Sequence, residues 1–344
     1  MGIPLPLRPA EGRIRRNRLV NDEPEGMKHP LDLEERMNDR LRVLACVIAP
    51  LVLMNSSCAL AAHSDEFLPA QQAGVVRSDL IREASGIVAS RQNPGVLWVH
   101  NDSGGSPEVF AINAKADLLG VCTIRSATAR DWEDIAIGPG PDPNRQYLYI
   151  GDIGDNQAKY PEVIVYRIAE PKVSTPGAFG TMTIGPAEAI RLTYPGGPRD
   201  AETLLVDPLT RDIYIIAKRE LFSTVYRAGF PQSTTQPTQM EAVTTLSWGF
   251  AVGGTVSPDG REVIVRGMFN ASLWTRPTGE PLWHAFSGKQ TFLPLVHEPQ
   301  GEAICFDSQG LGYFTISEGG HPPLYYFPRA REAARKESTS DKQQ

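Results

Sequence analysis

The chain has 344 residues, of which 41% are hydrophobic, 31 are Gly and 29 are Pro. So many Gly and Pro residues suit numerous tight turns and are more than a helical protein tolerates, so the composition predicts an all-β fold. The formal net charge is −6, which leaves no basic footprint for neutralising phosphates and excludes nucleic acid as an expected partner.

The N-terminal part of the chain has the features of an export signal. Residues 1–36 form a Pro- and Arg-rich leader. Residues 37–61 contain Arg residues, then an apolar run at residues 43–54, then an A-x-A cleavage pattern at residues 59–61, which is the layout of a secretory signal peptide. The apolar run is too short to span a bilayer. The sequence therefore predicts a secreted or periplasmic protein.

The position of this signal leaves two alternatives open. A signal peptide so far into a chain is unusual, so we expect translation to start at Met37 or Met27, with the leader disordered or outside the natural protein. Cys58 offers a lipoprotein form instead. Asn55 stands where lipoprotein signals normally have an aliphatic residue, and this favours the soluble exported form.

A pattern of about 50 residues recurs five times within residues 66–330 and is followed by a polar tail, residues 331–344, expected to be disordered. Each unit has an acidic or polar entry, an apolar strand, a turn and two strands rich in aromatic and β-branched residues. The first strands read EASGIVAS, DWEDIAIG, DAETLLVD, FAVGGTVSPDG and QGEAICFD, and they begin at Glu83, Asp131, Asp200, Phe250 and Gln300.

Repeated antiparallel units of this length predict a single five-bladed β-propeller, in which blades bury their faces against one another. The fifth unit supplies only three strands, and we expect the apolar residues 74–81 to close the ring as its outer strand. A six-bladed ring is the alternative. It would require the insertion at residues 171–185 to hide a further blade, and the insertion is too short for that.

In a propeller, the entries to the first strands and the ends of the second strands meet at one mouth of the central channel. The candidate ligand-binding residues are therefore the polar side chains at these two places: Glu83, Asn101, Asp102, Asp131, Glu133, Asp200, Glu202, Lys218, Arg219, Arg266, Glu302 and Glu318. Two like charges about 5 Å apart cost roughly 3 kcal/mol at an effective dielectric of 20. The sequence therefore predicts either a bound cation or internal pairing with the basic residues.

The segment GDIGDN suggests which residues would hold such a cation. Its Asp and Asn oxygens are hard donors on a Gly-containing loop, which suits Ca²⁺ better than a transition metal. The candidate metal ligands are Glu133, Asp134, Asp152, Asp155 and Asn156. Asp and Asn also favour turns for their own sake, so the alternative is a loop that binds no metal.

The basic residues at the mouth allow two interpretations. Lys218, Arg219 and Arg266 could hold a phosphate or carboxylate, or they could form internal ion pairs with Glu202 and Asp152. The fourth unit has Phe250 and Val252 where its neighbours have acids. This gap in the ring could admit a ligand or reflect tight backbone packing.

Familiar catalytic motifs are missing: the sequence has no G-x-S-x-G, no H-E-x-x-H and no phosphate-binding Gly-rich loop. His100 is a weak candidate for a general base, and Trp132 could stack on a sugar or ring, although structural roles explain both. Cys122 and Cys305 lie within strands, and we expect two buried free thiols rather than a disulfide.

The set EASGI, NDSG, RDWEDIA, GDIGDN, RDAE, SPDG and GEAI resembles a family of uncharacterised secreted or periplasmic bacterial propeller proteins, over about residues 83–327. More distantly the chain looks like NHL/YVTN-type repeat propellers and like β-propeller phytases and phytase-associated esterase-like domains. The resemblance implies a propeller and export, and the phytase likeness implies calcium bound by acidic residues around the channel. The phytase motifs themselves are not reproduced, and no established activity accompanies the resemblance.

We therefore expect an exported binding or scaffold module, monomeric and without a membrane span, whose acidic mouth, possibly containing Ca²⁺, binds a small molecule or a protein loop. The alternative is a metal-assisted hydrolase of phosphoesters or esters, with Ca²⁺ as Lewis acid and the three basic residues holding the anion. Fold does not fix function, so both readings depend on the mouth.

Overall fold

The computed structural model describes residues 66–173 and 178–330, and these residues form five β-sheets arranged as a propeller. The leader, the signal segment at residues 37–61 and the tail at residues 331–344 lie outside the described residues, as does the proposed lipoprotein Cys58. Among the described residues, no helix is both long enough and apolar enough to cross a membrane.

Each blade is an antiparallel meander whose first strand lies innermost. The first blade contains β2 (Ala84–Ala89), β3 (Val96–Asn101), β4 (Glu108–Asn113) and β5 (Leu118–Ile124). The second contains β6 (Trp132–Pro139), β7 (Gln146–Asp152), β8 (Val163–Ala169) and β10 (Glu188–Thr193). The third contains β11 (Ala201–Val206), β12 (Ile213–Ala217), β13 (Thr224–Ala228) and β15 (Glu241–Thr245).

The last two blades complete the ring. The fourth contains β16 (Ala251–Val256), β17 (Glu262–Gly267), β18 (Ala271–Thr275) and β19 (Thr291–Phe292), with a 3₁₀ helix at Leu282–Ser287 before β19. The fifth contains β20 (Gly301–Phe306), β21 (Gly312–Ser317), β22 (Pro323–Pro328) and the N-terminal β1 (Gln71–Val75). The five-bladed prediction is confirmed.

The ring closes as predicted, but the closing strand lies earlier in the chain than expected. β1 pairs with β22, so the start and end of the described chain share one blade. The strand begins at Gln71 and ends at Val75, rather than covering residues 74–81. Beyond Val75 the chain leaves the sheet and turns, and the apolar Ile81 belongs to the core instead of the edge strand.

The insertion adds a strand to an existing blade. Its strand β9 (Gly180–Ile184) pairs in parallel with β5 and becomes the fifth strand of the first blade. A second short strand, β14 (Thr238–Gln239), pairs in parallel with β10 at the edge of the second blade. Covering these edges removes unpaired backbone groups that could template aggregation. The insertion thus links neighbouring blades and forms no sixth blade in the described residues.

The core lies between blades and along the channel. The innermost strands β2, β11 and β16 are buried along their whole length because both faces are covered. Each innermost strand contacts the innermost strands of the two adjacent blades. A cavity of only about 10 Å³ lies in the channel, lined by side chains such as Val88, Ile135 and Val256. Such a volume is about that of one water probe, so this cavity is too small for an organic ligand.

Candidate functional site

Each of the five innermost strands carries a β-bulge near its start. The register shifts between the first and third residue of every one of these strands, so the second residue of each is the extra one. A bulge re-aims a side chain, and bulges are frequent next to functional sites. We call the five extra residues the bulge ring: Ser85, Glu133, Glu202, Val252 and Glu302.

Three acidic members of the bulge ring converge at one end of the channel. Glu133, Glu202 and Glu302 each offer a carboxylate oxygen within 4.8 Å of the others. Ser85 fits between them, since its hydroxyl donates to the backbone carbonyl of Glu133 and lies 3.4 Å from Glu302 Oε2. Val252 is buried. The three carboxylates approach one another because each lies at the same bulge in its strand, a feature that the sequence repeat does not reveal.

A second carboxylate group joins the first through Glu133. Oxygens of Asp102, Asp131 and Glu133 also lie within 4.8 Å of one another. Asp102 directly follows the second strand of its blade, and its backbone N–H donates to the Glu83 carbonyl at 2.8 Å. Among the described residues no ion pair reaches Asp102, and its buried Oδ1 receives no hydrogen bond.

The GDIGDN loop lies directly against this second group. Asp131 donates its backbone N–H to Asp152 Oδ1 at 3.0 Å, and Gly154 donates its own to the Asp131 carbonyl at 3.2 Å. A Cβ at position 154 would overlap both Glu133 Oε1 and Asp131 Oδ2. The two most distinctive sequence motifs, RDWEDIA and GDIGDN, thus meet at the carboxylates, and glycine is required because the loop touches them.

The acids of GDIGDN are engaged in holding the loop. Asp152 lies 3.4 Å from Arg130 Nε, and Asp155 Oδ2 accepts the Tyr160 N–H at 2.7 Å. Asn156 accepts a hydrogen bond from Arg219. These contacts engage Asp152, Asn156 and one oxygen of Asp155, whose Oδ1 is buried without a hydrogen bond; metal binding by these side chains stays a prediction.

The side chain of Asp134 holds neighbouring blades together. Its Oδ1 accepts the Ile135 N–H at 2.8 Å, and its Oδ2 accepts those of Leu204 at 2.9 Å and Gly254 at 3.3 Å. The side chain is completely buried and ties together strands of three consecutive blades. Of the five predicted metal ligands, only Glu133 belongs to the two carboxylate groups. The geometry offers Asp102, Asp131 and Glu133 as a further candidate group, and the five predicted ligands stay a prediction.

The basic residues at the mouth are paired internally. Lys218 Nζ bonds Glu202 and lies 3.8 Å from Glu302 Oε1. Arg219 Nε lies 2.6 Å from Asp200 Oδ2. The expected internal pair of Lys218 with Glu202 is present, while the partner of Asp152 is Arg130, a residue that sequence reasoning did not consider.

Arg266 lies below the surface of the mouth. Its guanidinium is 2.7 Å from Glu298 Oε2, with both side chains almost fully buried, and it also donates to the Ala303 carbonyl at 3.3 Å. It packs under Gly301, where a Cβ would overlap it. Removing one partner of such a pair is strongly destabilising, so Arg266 supports the fourth and fifth blades rather than a ligand.

Burial and mutual repulsion raise the pKa values of the mouth acids. The pKa of Glu133 rises to about 11, first through burial and then through Glu202 and Asp102. The pKa of Glu202 rises to about 8, mainly through burial and the charge of Glu302. Burial likewise raises the pKa of Asp102 to about 6 and that of Glu318 to about 8. Burial and like charges thus disfavour the ionised form of these acids, and a positive charge beside them would favour it.

The remaining predicted residues lie at the outer rim of the mouth. Asn101 Oδ1 accepts the N–H groups of Arg82 and Glu83, so its side chain shapes the rim turn. Glu83 is exposed. Glu318 accepts a hydrogen bond from Gln300 at 3.0 Å. Glu83 and Glu318 remain at the rim with side chains that a ligand could reach.

His100 and Trp132 do not face the mouth. His100 is completely buried, its Nδ1 lies 2.8 Å from the Asn101 carbonyl, and burial lowers its pKa to about 4. The Trp132 indole is also buried and donates to the Thr128 carbonyl at 2.8 Å, with its ring edge-on to His100. Both side chains are core. The expectation of free buried thiols at Cys122 and Cys305 is confirmed.

Comparison with known proteins gives structural likeness alone. No family model and no curated protein matches the sequence. The WD40 domain of Neurospora crassa Pan2 resembles the structure with a TM-score of 0.41 at 9% identity, over 77% of this chain and 96% of that one. Hydrazine synthase from Kuenenia stuttgartiensis has a TM-score of 0.37 at 14% identity, over 71% and 78%. The fold assignment therefore comes from the five sheets described above.

Proposed function

We propose that the protein is an exported binding module whose channel mouth holds Ca²⁺ on Asp102, Asp131 and Glu133 and binds its ligand there. One observation carries the proposal. The Glu133 carboxylate is 3% exposed and belongs to both carboxylate groups, and beside it Asp102 Oδ1 is fully buried and receives no hydrogen bond from any described residue. A buried acid without a partner is costly, and a cation supplies the missing interaction.

The donor set favours Ca²⁺ over transition metals. All three side chains offer carboxylate oxygens, which are the ligands that hard cations prefer. Ca²⁺ takes about six to eight oxygens, so three monodentate carboxylates would leave several positions for water or for oxygens of a ligand. This incomplete shell is what makes a cation site suitable for recognition.

The contacts of the basic residues favour binding over hydrolysis. A phosphoesterase or esterase at this mouth would use Lys218 and Arg219 to hold the anion, but both are engaged with Glu202 and Asp200. Arg266 is buried against Glu298. His100 is buried as well, so it offers no general base at the mouth.

Thermal unfolding in chelator and in CaCl₂ tests the cation site. A ligand at 100 times its Kd stabilises the folded state by about 2.7 kcal/mol, so the wild-type protein should gain a clear increase in Tm with Ca²⁺. Asp131→Asn should lose that increase, while Asp142→Asn should keep it, because the half-buried Asp142 pairs with Arg145 at the opposite end of the second blade. An unchanged wild-type Tm at millimolar Ca²⁺ would refute the site.

Activity assays separate the binding module from the hydrolase. We expect no turnover of p-nitrophenyl phosphate or p-nitrophenyl esters above that of an Asp131→Asn control. Hydrolysis that Glu133→Gln abolishes would instead establish the enzyme. Export is tested separately by N-terminal sequencing of the protein recovered from outside the cytoplasm, with cleavage expected after Ala61.

A further inference from the structure

Three loops lie side by side at the mouth end of the third and fourth blades. They comprise residues 218–223, 246–250 and 267–270, and we call their exposed surface the apolar rim. The Lys218 carbonyl accepts the N–H of Phe250 at 2.9 Å, and Ser223 donates its N–H to the Trp248 carbonyl at 3.0 Å. A Cβ on Gly267 would come within 3.0 Å of Trp248. The three loops therefore form one continuous surface.

The apolar rim exposes large hydrophobic side chains. Among the described residues, five of the eight large hydrophobic side chains that are most exposed belong to it. Their exposed fractions reach 91% for Phe269 and 81% for Leu221, and the other three members are Phe222, Phe250 and Met268. Scattered exposed hydrophobics are ordinary, but a contiguous group with a polar border marks an interaction surface.

The backbone of the apolar rim is held in an unfavourable conformation. Phe250 has φ of 64°, in the left-handed region that bulky residues rarely adopt. Such a conformation costs on the order of 1 kcal/mol or more and persists only where the surroundings impose it. It keeps an aromatic ring 46% exposed directly before the innermost strand of the fourth blade. Stability alone would favour glycine at this position.

Charge next to the apolar rim indicates what chemistry fits it. Lys218 begins the first of the three loops, and its ammonium already lies between Glu202 and Glu302. Glu318 lies at the mouth end of the fifth blade, next to the fourth, and Glu83 lies at the mouth end of the first blade, next to the fifth; neither has an ion pair among the described residues. A binding segment that carries a basic side chain next to apolar ones could therefore contact the apolar rim and an unpaired acid on the same end of the propeller. An anionic lipid surface would be repelled by the same acids.

We propose that the apolar rim docks a protein partner through a segment that carries bulky apolar side chains next to a Lys or Arg. The apolar side chains of the segment cover Leu221, Phe222 and Phe269, and its basic side chain pairs with Glu318. Energy in such interfaces concentrates in a few buried aromatic and basic anchors. The docking does not require Ca²⁺ at Asp131 and Glu133, and it goes beyond the cation site.

Selection from a random twelve-residue peptide library, displayed on phage, tests the proposal. The target is the full propeller, and the counter-target is the double variant Leu221→Ser, Phe269→Ser. Selected peptides should combine aromatic or aliphatic residues with Lys or Arg. The double variant should bind them at least tenfold more weakly. Leu209→Ser is the matched control, because Leu209 is 60% exposed at the opposite end of the third blade and should leave affinity unchanged.

The pairing of the basic side chain with Glu318 is tested separately. Glu318→Gln should weaken the selected peptides about three- to tenfold, and 0.5 M NaCl should weaken them similarly. Peptides that lack basic residues, or that are insensitive to Glu318→Gln, would overturn the proposed chemistry. Peptides that bind the double variant as well as the wild type would overturn the docking surface. Unchanged Tm values for all variants show that the fold is retained.

Other occupants are distinguished in the same study. Binding to vesicles of phosphatidylcholine and phosphatidylglycerol, lost in the double variant, would assign the surface to lipid and overturn the proposal. A dimer in sedimentation that the double variant abolishes would assign it to a second copy of this chain, with the same result. Asp131→Asn should lose the Ca²⁺-dependent increase in Tm while keeping peptide binding, so failure of the cation site and failure of the docking surface are separate outcomes.

Discussion

Replacing Glu133 by Gln should stabilise the metal-free protein and remove its response to Ca²⁺. The substitution preserves the shape of the side chain and removes the charge shared by the two carboxylate groups. Stabilisation by loss of a buried residue's charge is unusual, because most substitutions of buried residues destabilise a protein. The direction of the effect is therefore informative.

The magnitude follows from the geometry and from the pKa. Two charges 4.8 Å apart repel by about 3.5 kcal/mol at an effective dielectric of 20. Keeping a proton on Glu133 instead, at pH 7.5 against an ordinary pKa of 4.5, costs about 4 kcal/mol at 1.36 kcal/mol per pH unit. The two estimates of the cost of Glu133 to the folded state agree. Because solvent partly screens this cost, Glu133→Gln should raise the free energy of unfolding by about 2 kcal/mol. For a domain of this size that gain raises Tm by about 4–8 °C.

The pH dependence provides an internal check. Because the pKa of Glu133 is raised to about 11 in the folded state, the folded protein binds a proton that the unfolded chain has lost above pH 4.5. The contribution to stability is therefore complete below about pH 4.5 and is lost progressively as the pH rises towards 11. In chelator, the wild-type Tm should fall with rising pH more steeply than that of Glu133→Gln.

The assay is thermal unfolding at low ionic strength, with EDTA or CaCl₂, between pH 5 and 9. Glu241→Gln is the matched control: Glu241 is 69% exposed on the outer strand of the third blade and pairs with Arg227, so its Tm should change little. If Glu133→Gln has a lower Tm than the wild type in EDTA, or responds to Ca²⁺ as the wild type does, the reasoning about an uncompensated carboxylate is wrong.

Three further predictions concern the loop, the blade contacts and the thiols. Gly154→Ala should lower Ca²⁺ affinity at least tenfold in calorimetric titration, because its Cβ would overlap two mouth carboxylates, while Gly105→Ala, whose Cβ meets open space, should not. Glu170→Ala should lower the free energy of unfolding, measured in urea, by about 3 kcal/mol or more, because this buried carboxylate accepts hydrogen bonds from the first blade, including one from a Trp indole at 3.0 Å. A decrease below about 1 kcal/mol would contradict that role. Cys122 and Cys305 should react with a thiol reagent only after denaturation, because both are buried and burial raises the pKa of Cys122 to about 12; rapid labelling of the native protein would show that they are accessible.

The sequence by itself determined the architecture of this protein. The period of about 50 residues, the turn chemistry between strands and the unpaired last unit together define five blades and a closed ring. Turn positions are readable because they depend on local backbone preferences: Gly95, Gly260 and Gly310 all adopt positive φ at equivalent turns. The repeat also places Glu133, Glu202 and Glu302 at the same offset in their units, so their approach could be expected.

Only the tertiary structure decided which side chains are available for chemistry. The sequence presents GDIGDN as a set of ligands; the structure adds that Asp152 pairs with Arg130, that one oxygen of Asp155 accepts the Tyr160 N–H, and that the loop touches the mouth carboxylates at Gly154. Arg266 looked like an anion clamp but is buried with Glu298. Burial and ion pairing depend on contacts between blades, whose residues are far apart in sequence. A periodic sequence pattern therefore does not show which side chain pairs with a given carboxylate.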